Sequence, residues 1–82
     1  MREDELLGRI GADPAIFGGK PIVRGMRISV ELVLALLAAG ETPESILDKY
    51  PDLEPEDIRA CRAYARAVIG DESLEAVKVE PA

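Results

Sequence analysis

Residues 29–70, SVELVLALLAAGETPESILDKYPDLEPEDIRACRAYARAVIG, decide the fold of this chain. The stretch holds three segments with helical spacing of apolar residues, separated by two turn signals. The first helix is predicted to start at Ser29 or Val30, with Ser29 as its N-cap. It is predicted to end at Gly40, because glycine readily takes the left-handed conformation that closes a helix. Apolar side chains cover nearly every side of this helix, so it must be covered from all directions.

The two following helices begin alike, with a capping position and then proline in the first turn. Thr42 and Pro43 predict the start of the second helix. Pro51 ends that helix, because the residue before a proline is pushed out of the helical conformation. The third helix is predicted to begin at Glu54-Pro55 and to run to about Ile69. Its apolar face is formed by residues at 3.6-residue spacing, namely Ile58, Cys61, Ala65, Val68 and Ile69.

The rest of the chain divides into an arm and a tail. Residues 1–30 are predicted to be a β-prone arm in front of the helical core of residues 30–70. In the arm, Leu6, Leu7 and Ile10 suggest a short strand, and residues 14–17 a single helical turn after Asp13. Residues 21–23 and 27–30 flank a turn at Gly25 and suggest a β-hairpin. Residues 71–82 are a short acidic tail.

Composition narrows the class of function. The 82 residues suffice for one domain, and ten basic against sixteen acidic side chains leave a net charge of −6. Such a charge disfavours non-specific nucleic-acid binding and favours a basic protein partner. One cysteine and no histidine disfavour a disulfide, a metal site or a catalytic triad. We therefore expect a cytoplasmic protein, neither membrane-bound nor an enzyme, without cofactor or metal.

Three arginines of the third helix, Arg59, Arg62 and Arg66, lie within roughly 60° of arc around its axis. This basic stripe suits phosphate contacts or ion pairs with an acidic partner. It is equally a solvated face paired with acids of the same chain. The second and third helices, joined by a four-residue turn, also have the layout of a DNA-reading helix-turn-helix, although any small helical bundle can share it.

A second basic group, Lys20, Arg24 and Arg27, lies in the arm. Lys20 and Arg24 are predicted to contact nucleic acid or a partner, whereas Arg27 is predicted to tie the arm to acidic side chains of the helices. The glycines before Lys20 do not make a phosphate-binding loop, because Pro21 and a β-prone segment follow where a helix would have to start.

The apolar first helix and a strip of alanines on the third predict a homodimer. Small side chains let another helix approach closely, although alanine is also the best helix former. The residues predicted at the dimer interface are Leu32, Leu36, Ala60, Ala63 and Ala67.

The chain resembles domain-of-unknown-function family 433 over about residues 6–66. The most specific element is GKPIVRGMRISV at residues 19–30, supported by LAAG at 37–40, ESIL at 44–47, YPDL at 50–53 and PEDI at 55–58. Three positions depart from the family pattern: Met26 stands where threonine is usual, Ser29 where proline is usual, and Glu54 where a capping threonine or serine is usual. Glu54 is a weaker cap and predicts a less stable start of the third helix.

The resemblance implies a mainly α, homeodomain-like three-helix fold behind a short β-hairpin or arm. It also implies a bacterial or archaeal protein without enzymatic activity. Members are often encoded beside small nuclease-like proteins of the PIN type and are regarded as antitoxins. The first hypothesis is therefore an antitoxin that neutralises such a nuclease through its acidic surface and its tail, and that could also bind its own operator DNA as a dimer. The apolar residues of its tail, Leu74, Val77 and Val79, would fold onto the toxin.

Two other functions remain open. The chain could be a helix-turn-helix transcriptional regulator without a toxin, in which case operator binding should weaken steeply with salt and with loss of Arg59 or Arg62. It could also be a purely structural dimerisation module that binds neither DNA nor a toxin. Net charge favours a protein partner, while the arginine stripe keeps DNA binding open.

Overall fold

Four α-helices and one small antiparallel sheet make up the described part of the chain. The structure is a computed structural model, and it describes residues 1–70. In chain order the elements are α1 (Glu3–Leu7), β1 (Ile10–Gly11), a 3-10 turn (Phe17–Gly19), β2 (Ile22–Val23), α2 (Val30–Ala38), α3 (Pro43–Lys49) and α4 (Pro55–Ile69). The chain is thus mainly helical with a two-stranded sheet, as the sequence predicts.

The three predicted helices form where their caps place them. The Oγ of Ser29 accepts a hydrogen bond from the backbone N–H of Leu32, and the Oγ1 of Thr42 accepts one from that of Ser45. Gly40 has a φ of 95°, the left-handed conformation expected after α2. Local capping signals therefore located these helices correctly.

The arm differs from the prediction at its start. Leu6 and Leu7 lie in α1 rather than in a strand, and only Ile10 is in β1. Three acidic residues in the first turn of α1 favour the helix through its dipole, and Leu6 is buried. Helix α1 packs mainly against α4, and the apolar side of α1 contacts that helix. Tertiary packing therefore stabilises a five-residue helix that would be marginal alone.

The arm folds back on itself through backbone hydrogen bonds. Strand β1 pairs antiparallel with β2, with Ile10 opposite Val23. The predicted hairpin also forms in part, since the N–H of Val23 donates to the carbonyl of Ile28, across a turn at Arg24 and Gly25. This arrangement presents both apolar residues of β2 to the interior.

The core lies where β2 meets the three long helices. Its buried residues are Val23, Val30, Val33, Ile46, Leu53, Ile58 and Cys61. Within residues 1–70, no helix combines the length and apolar character needed to cross a membrane.

Candidate functional site

The arginine face, defined as Arg59, Arg62 and Arg66, is the exposed basic side of α4. All three side chains are exposed, as the helical spacing predicts. Arg66 donates from Nη1 to the Oε1 of Glu3 at 2.8 Å, so its guanidinium group already forms an ion pair with α1. Arg59 and Arg62 form no ion pair with any residue between 1 and 70. Within the described part of the chain, these two guanidinium groups are therefore unpaired on a 15-residue helix.

In the group formed by Lys20, Arg24 and Arg27, two of the three basic side chains form ion pairs within the chain. Lys20 pairs with Glu31 of α2, with 2.8 Å between Nζ and Oε1. Arg24, predicted to contact nucleic acid or a partner, binds Asp57 of α4. Arg27, predicted to tie the arm down, is exposed and makes no ion pair with the described residues. The tying role therefore belongs to Arg24 and Arg9, because these two reach the start of α4.

Asp57 is the centre of a cluster that joins the arm to α4. Its side chain is fully buried. Arg24 holds it with two parallel hydrogen bonds, Nε to Oδ1 at 3.0 Å and Nη2 to Oδ2 at 2.7 Å. Arg9 donates from Nη1 to Oδ1 at 2.9 Å and to the Oε1 of Glu54 at 2.7 Å. A buried carboxylate is stable only when paired and hydrogen-bonded in this way.

The same carboxylate secures the start of α4. The backbone N–H of Glu54 donates to the Oδ2 of Asp57 at 2.8 Å. This bond satisfies a donor that the helix itself leaves unpaired. The weak start predicted from Glu54 is therefore reinforced by a residue three positions further on.

The turn that aims Arg24 is tight. Arg24 and Gly25 have φ values of 45° and 71°, and the N–H of Met26 donates to the carbonyl of Val23 at 2.9 Å. Positive φ at both central positions is typical of a type I′ turn. For arginine this conformation costs about 1–2 kcal/mol, so the two bonds to Asp57 help to offset backbone strain.

The pKa of Asp57 reflects this environment. Burial alone would raise the pKa of the carboxyl group. Hydrogen bonds from Arg24, from the backbone N–H of Glu54 and from Arg9 outweigh burial and lower the pKa below its ordinary value of 3.8. Asp57 is therefore ionised at neutral pH and carries a negative charge between two arginines.

Because the pKa of Asp57 is lowered in the folded chain, the free energy of unfolding should fall at acid pH. Because its pKa is lower in the folded state, its contribution is complete above about pH 4 and is lost as pH falls below that value. Denaturant unfolding between neutral pH and about pH 2.5 should show a steeper loss of stability in the unsubstituted chain than in Asp57→Asn. Glu31 and Glu41, whose pKa values are also lowered by their lysine partners, contribute equally to both proteins. Identical pH profiles would contradict the prediction.

An apolar groove of about 670 Å³ lies between α2 and α4. Leu34, Ala35 and Ala38 form its α2 wall, and Tyr64, Ala65, Val68 and Ile69 its α4 wall. Lys20 and Glu31, which pair with each other, stand at the groove. Val68 and Ile69 are 45% and 69% exposed, although helical spacing predicts them on the buried face of α4. The C-terminal end of α4 therefore extends past the core, and residues 1–70 leave part of its apolar surface uncovered.

The residues predicted at a dimer interface lie in different surroundings. Ala60 is fully buried within the chain and so has no surface to offer a second copy. Ala63 is half-buried, and Ala67 is exposed. Leu32 and Leu36 are half-buried, and Leu36 packs against the core. The predicted tail residues Leu74, Val77 and Val79 lie outside the described residues. The sequence does not predict the groove, because its α2 wall and its α4 wall are about thirty residues apart.

Cys61 is a buried and unreactive thiol. It is fully buried in the core, and burial, with a smaller effect from the charge of Asp57, raises the pKa of its thiol to about 12. A thiol with so high a pKa is not a nucleophile at neutral pH. Over residues 1–70, no three histidine, cysteine or acidic side chains are grouped so that they could hold a metal ion.

Comparisons with known proteins give one family and two relatives. The family model described as "Protein of unknown function (DUF433)" matches residues 10–65. The uncharacterized protein y4eO of Sinorhizobium fredii (strain NBRC 101917 / NGR234) is 43% identical over 58 residues, covering 71% of this chain and 26% of that protein. UDP-N-acetylglucosamine 1-carboxyvinyltransferase of Caulobacter sp. (strain K31) is 39% identical over 88 residues, covering 87% of this chain and 20% of that protein. The chain thus spans about a quarter or less of these relatives. No solved structure matches it.

Proposed function

The chain belongs to the DUF433 family, and from its exposed arginines we propose that it is a non-enzymatic antitoxin that binds and neutralises a small PIN-type nuclease. The observation that carries the proposal is the arginine face of α4. Arg59 and Arg62 are exposed and form no ion pair within residues 1–70. Guanidinium groups bind carboxylates strongly and with fixed geometry, so this face fits acidic groups on a protein partner.

Two features support a binding role for this face. The Asp57 cluster fixes the start of α4 to the arm, so the arginines project from a rigid element. The net charge of −6 disfavours nucleic acid as the main ligand, because phosphates would be repelled by most of the surface. A protein partner can place its acidic groups locally and its basic groups elsewhere. A cytoplasmic location fits the single cysteine, which suits a reducing compartment.

Operator binding by the same arginines is the second candidate. Helices α3 and α4, joined through residues 50–54, would then act as a homeodomain-like helix-turn-helix with α4 as the reading helix. Arg59 and Arg62 would contact phosphates, and binding would weaken with salt. Removing one such contact should lower the slope of log affinity against log salt by about one.

Co-expression with the protein encoded beside the gene tests the first candidate. We expect the full chain to co-purify with that neighbour and to relieve its toxicity. The variant Arg59→Glu with Arg62→Glu should weaken the complex at least about thirtyfold, the size of an interface hot spot. The control is Arg27→Glu, one such charge reversal at an exposed arginine of the arm, and it should bind normally.

Other outcomes separate the candidates. A neighbour that co-purifies equally well with the double variant would exclude the arginine face as the contact. No complex with the neighbour, together with salt-sensitive binding to the upstream DNA, would favour the regulator. A chain that binds neither would leave the structural module that the sequence also allowed.

A further inference from the structure

We propose that the apolar groove between α2 and α4 is a homodimer interface, filled by the same groove of a second copy. The exposed apolar side chains Val68 and Ile69 stand beside the open surface formed by Leu34, Ala35 and Ala38. One patch therefore supplies both protruding side chains and a recess. A two-fold symmetric interface needs this self-complementarity, because each surface must fit its own copy.

Charge supports a second copy as the occupant. Two chains of net charge −6 repel each other over most of their surfaces. Among residues 1–70, however, the charged side chains at the groove are one lysine and one glutamate, Lys20 and Glu31, and they neutralise each other at 2.8 Å. The other lining residues that the structure describes are apolar apart from the hydroxyl of Tyr64. Two copies can therefore approach through the groove without bringing unpaired like charges together.

The position of the groove on α4 is compatible with the arginine face. At 100° per residue, Val68 lies about 180° around the helix from Arg59. A dimer formed through the groove would leave Arg59 exposed on its outside. Arg62 lies only about 20° around the helix from Ile69, so it would stand at the edge of the interface. The dimer proposal does not rest on the antitoxin function, and either can fail without the other. It also differs from the interface predicted by the alanine strip, since Ala60 is buried within the chain.

The test is the mass of the full-length chain in solution over a range of concentrations, measured by light scattering or sedimentation equilibrium. We expect a dimer for the unsubstituted chain. Ile69→Glu should raise the dimer dissociation constant by at least about thirtyfold, because each interface contains the buried charge twice. Ile69 is 69% exposed in the single chain, so the substituted protein should keep its helical circular dichroism spectrum. Val68→Glu should act in the same direction.

Ala67→Glu is the matched control. It introduces the same charge on the same helix two residues away, at an exposed position that does not line the groove. Dimerisation should be unchanged in this variant. If Ala67→Glu dissociates the dimer and Ile69→Glu does not, the interface lies on the alanine strip and the proposal is wrong. An unsubstituted chain that is monomeric at every concentration also overturns it, with the groove then left to another occupant.

Discussion

Replacing Asp57 with alanine should lower the free energy of unfolding by about 3 kcal/mol, near the lower end of the cost of breaking a buried ion pair. The substitution leaves Arg9 and Arg24 without their shared carboxylate and the backbone N–H of Glu54 without its acceptor. The lower end applies because the two arginine side chains are 20% and 36% exposed and can recover some hydration. In a domain of this size the melting temperature should fall by about 12–24 °C.

Thermal and denaturant unfolding followed by circular dichroism measure this effect. Asp48→Ala is the control, because Asp48 is an exposed acid of α3 and forms no ion pair within the described residues. It should change stability by no more than about 0.5 kcal/mol. Equal melting temperatures for the two variants would mean that the Asp57 cluster does not hold the arm on α4.

Replacing Ile58 with alanine should destabilise the chain by a similar amount, about 3 kcal/mol, through a different mechanism. Ile58 is 1% exposed and belongs to the core between β2 and the long helices. Truncation removes buried methyl groups and leaves a cavity that neighbouring elements fill only in part. The net stability of a small domain is only about 5–15 kcal/mol, so either substitution removes a large share of it.

Ile69→Ala is the matched control for this prediction, with the same change on the same helix at a position that is 69% exposed. It should cost no more than about 0.5 kcal/mol when unfolding is measured at concentrations where both proteins are monomeric. Denaturant unfolding gives the two free energies directly. Similar losses for both variants would show that the end of α4 is covered in the single chain, contrary to its exposure in the structure.

Only those parts of the candidate site that follow from a local sequence pattern could be predicted. The exposure of Arg59, Arg62 and Arg66 on one side of α4 follows from helical spacing and was expected. The two arginine partners of Asp57 could not be predicted, because Arg9 and Arg24 are 48 and 33 residues away from it in sequence. One signal was present in hindsight: an aspartate three residues after the N-cap position Glu54 is well placed to accept its backbone N–H.

The sequence by itself determined the three long helices and their ends. Ser29, Thr42 and Gly40 act on backbone groups within a few residues, so their effect does not depend on the rest of the molecule. Only the tertiary structure decided that Leu6 is helical, that Arg24 rather than Arg27 ties down the arm, and that α2 and α4 leave a groove. Each of these depends on surfaces that are distant in the chain and meet only when it folds, and capping and periodicity contain no information about such contacts.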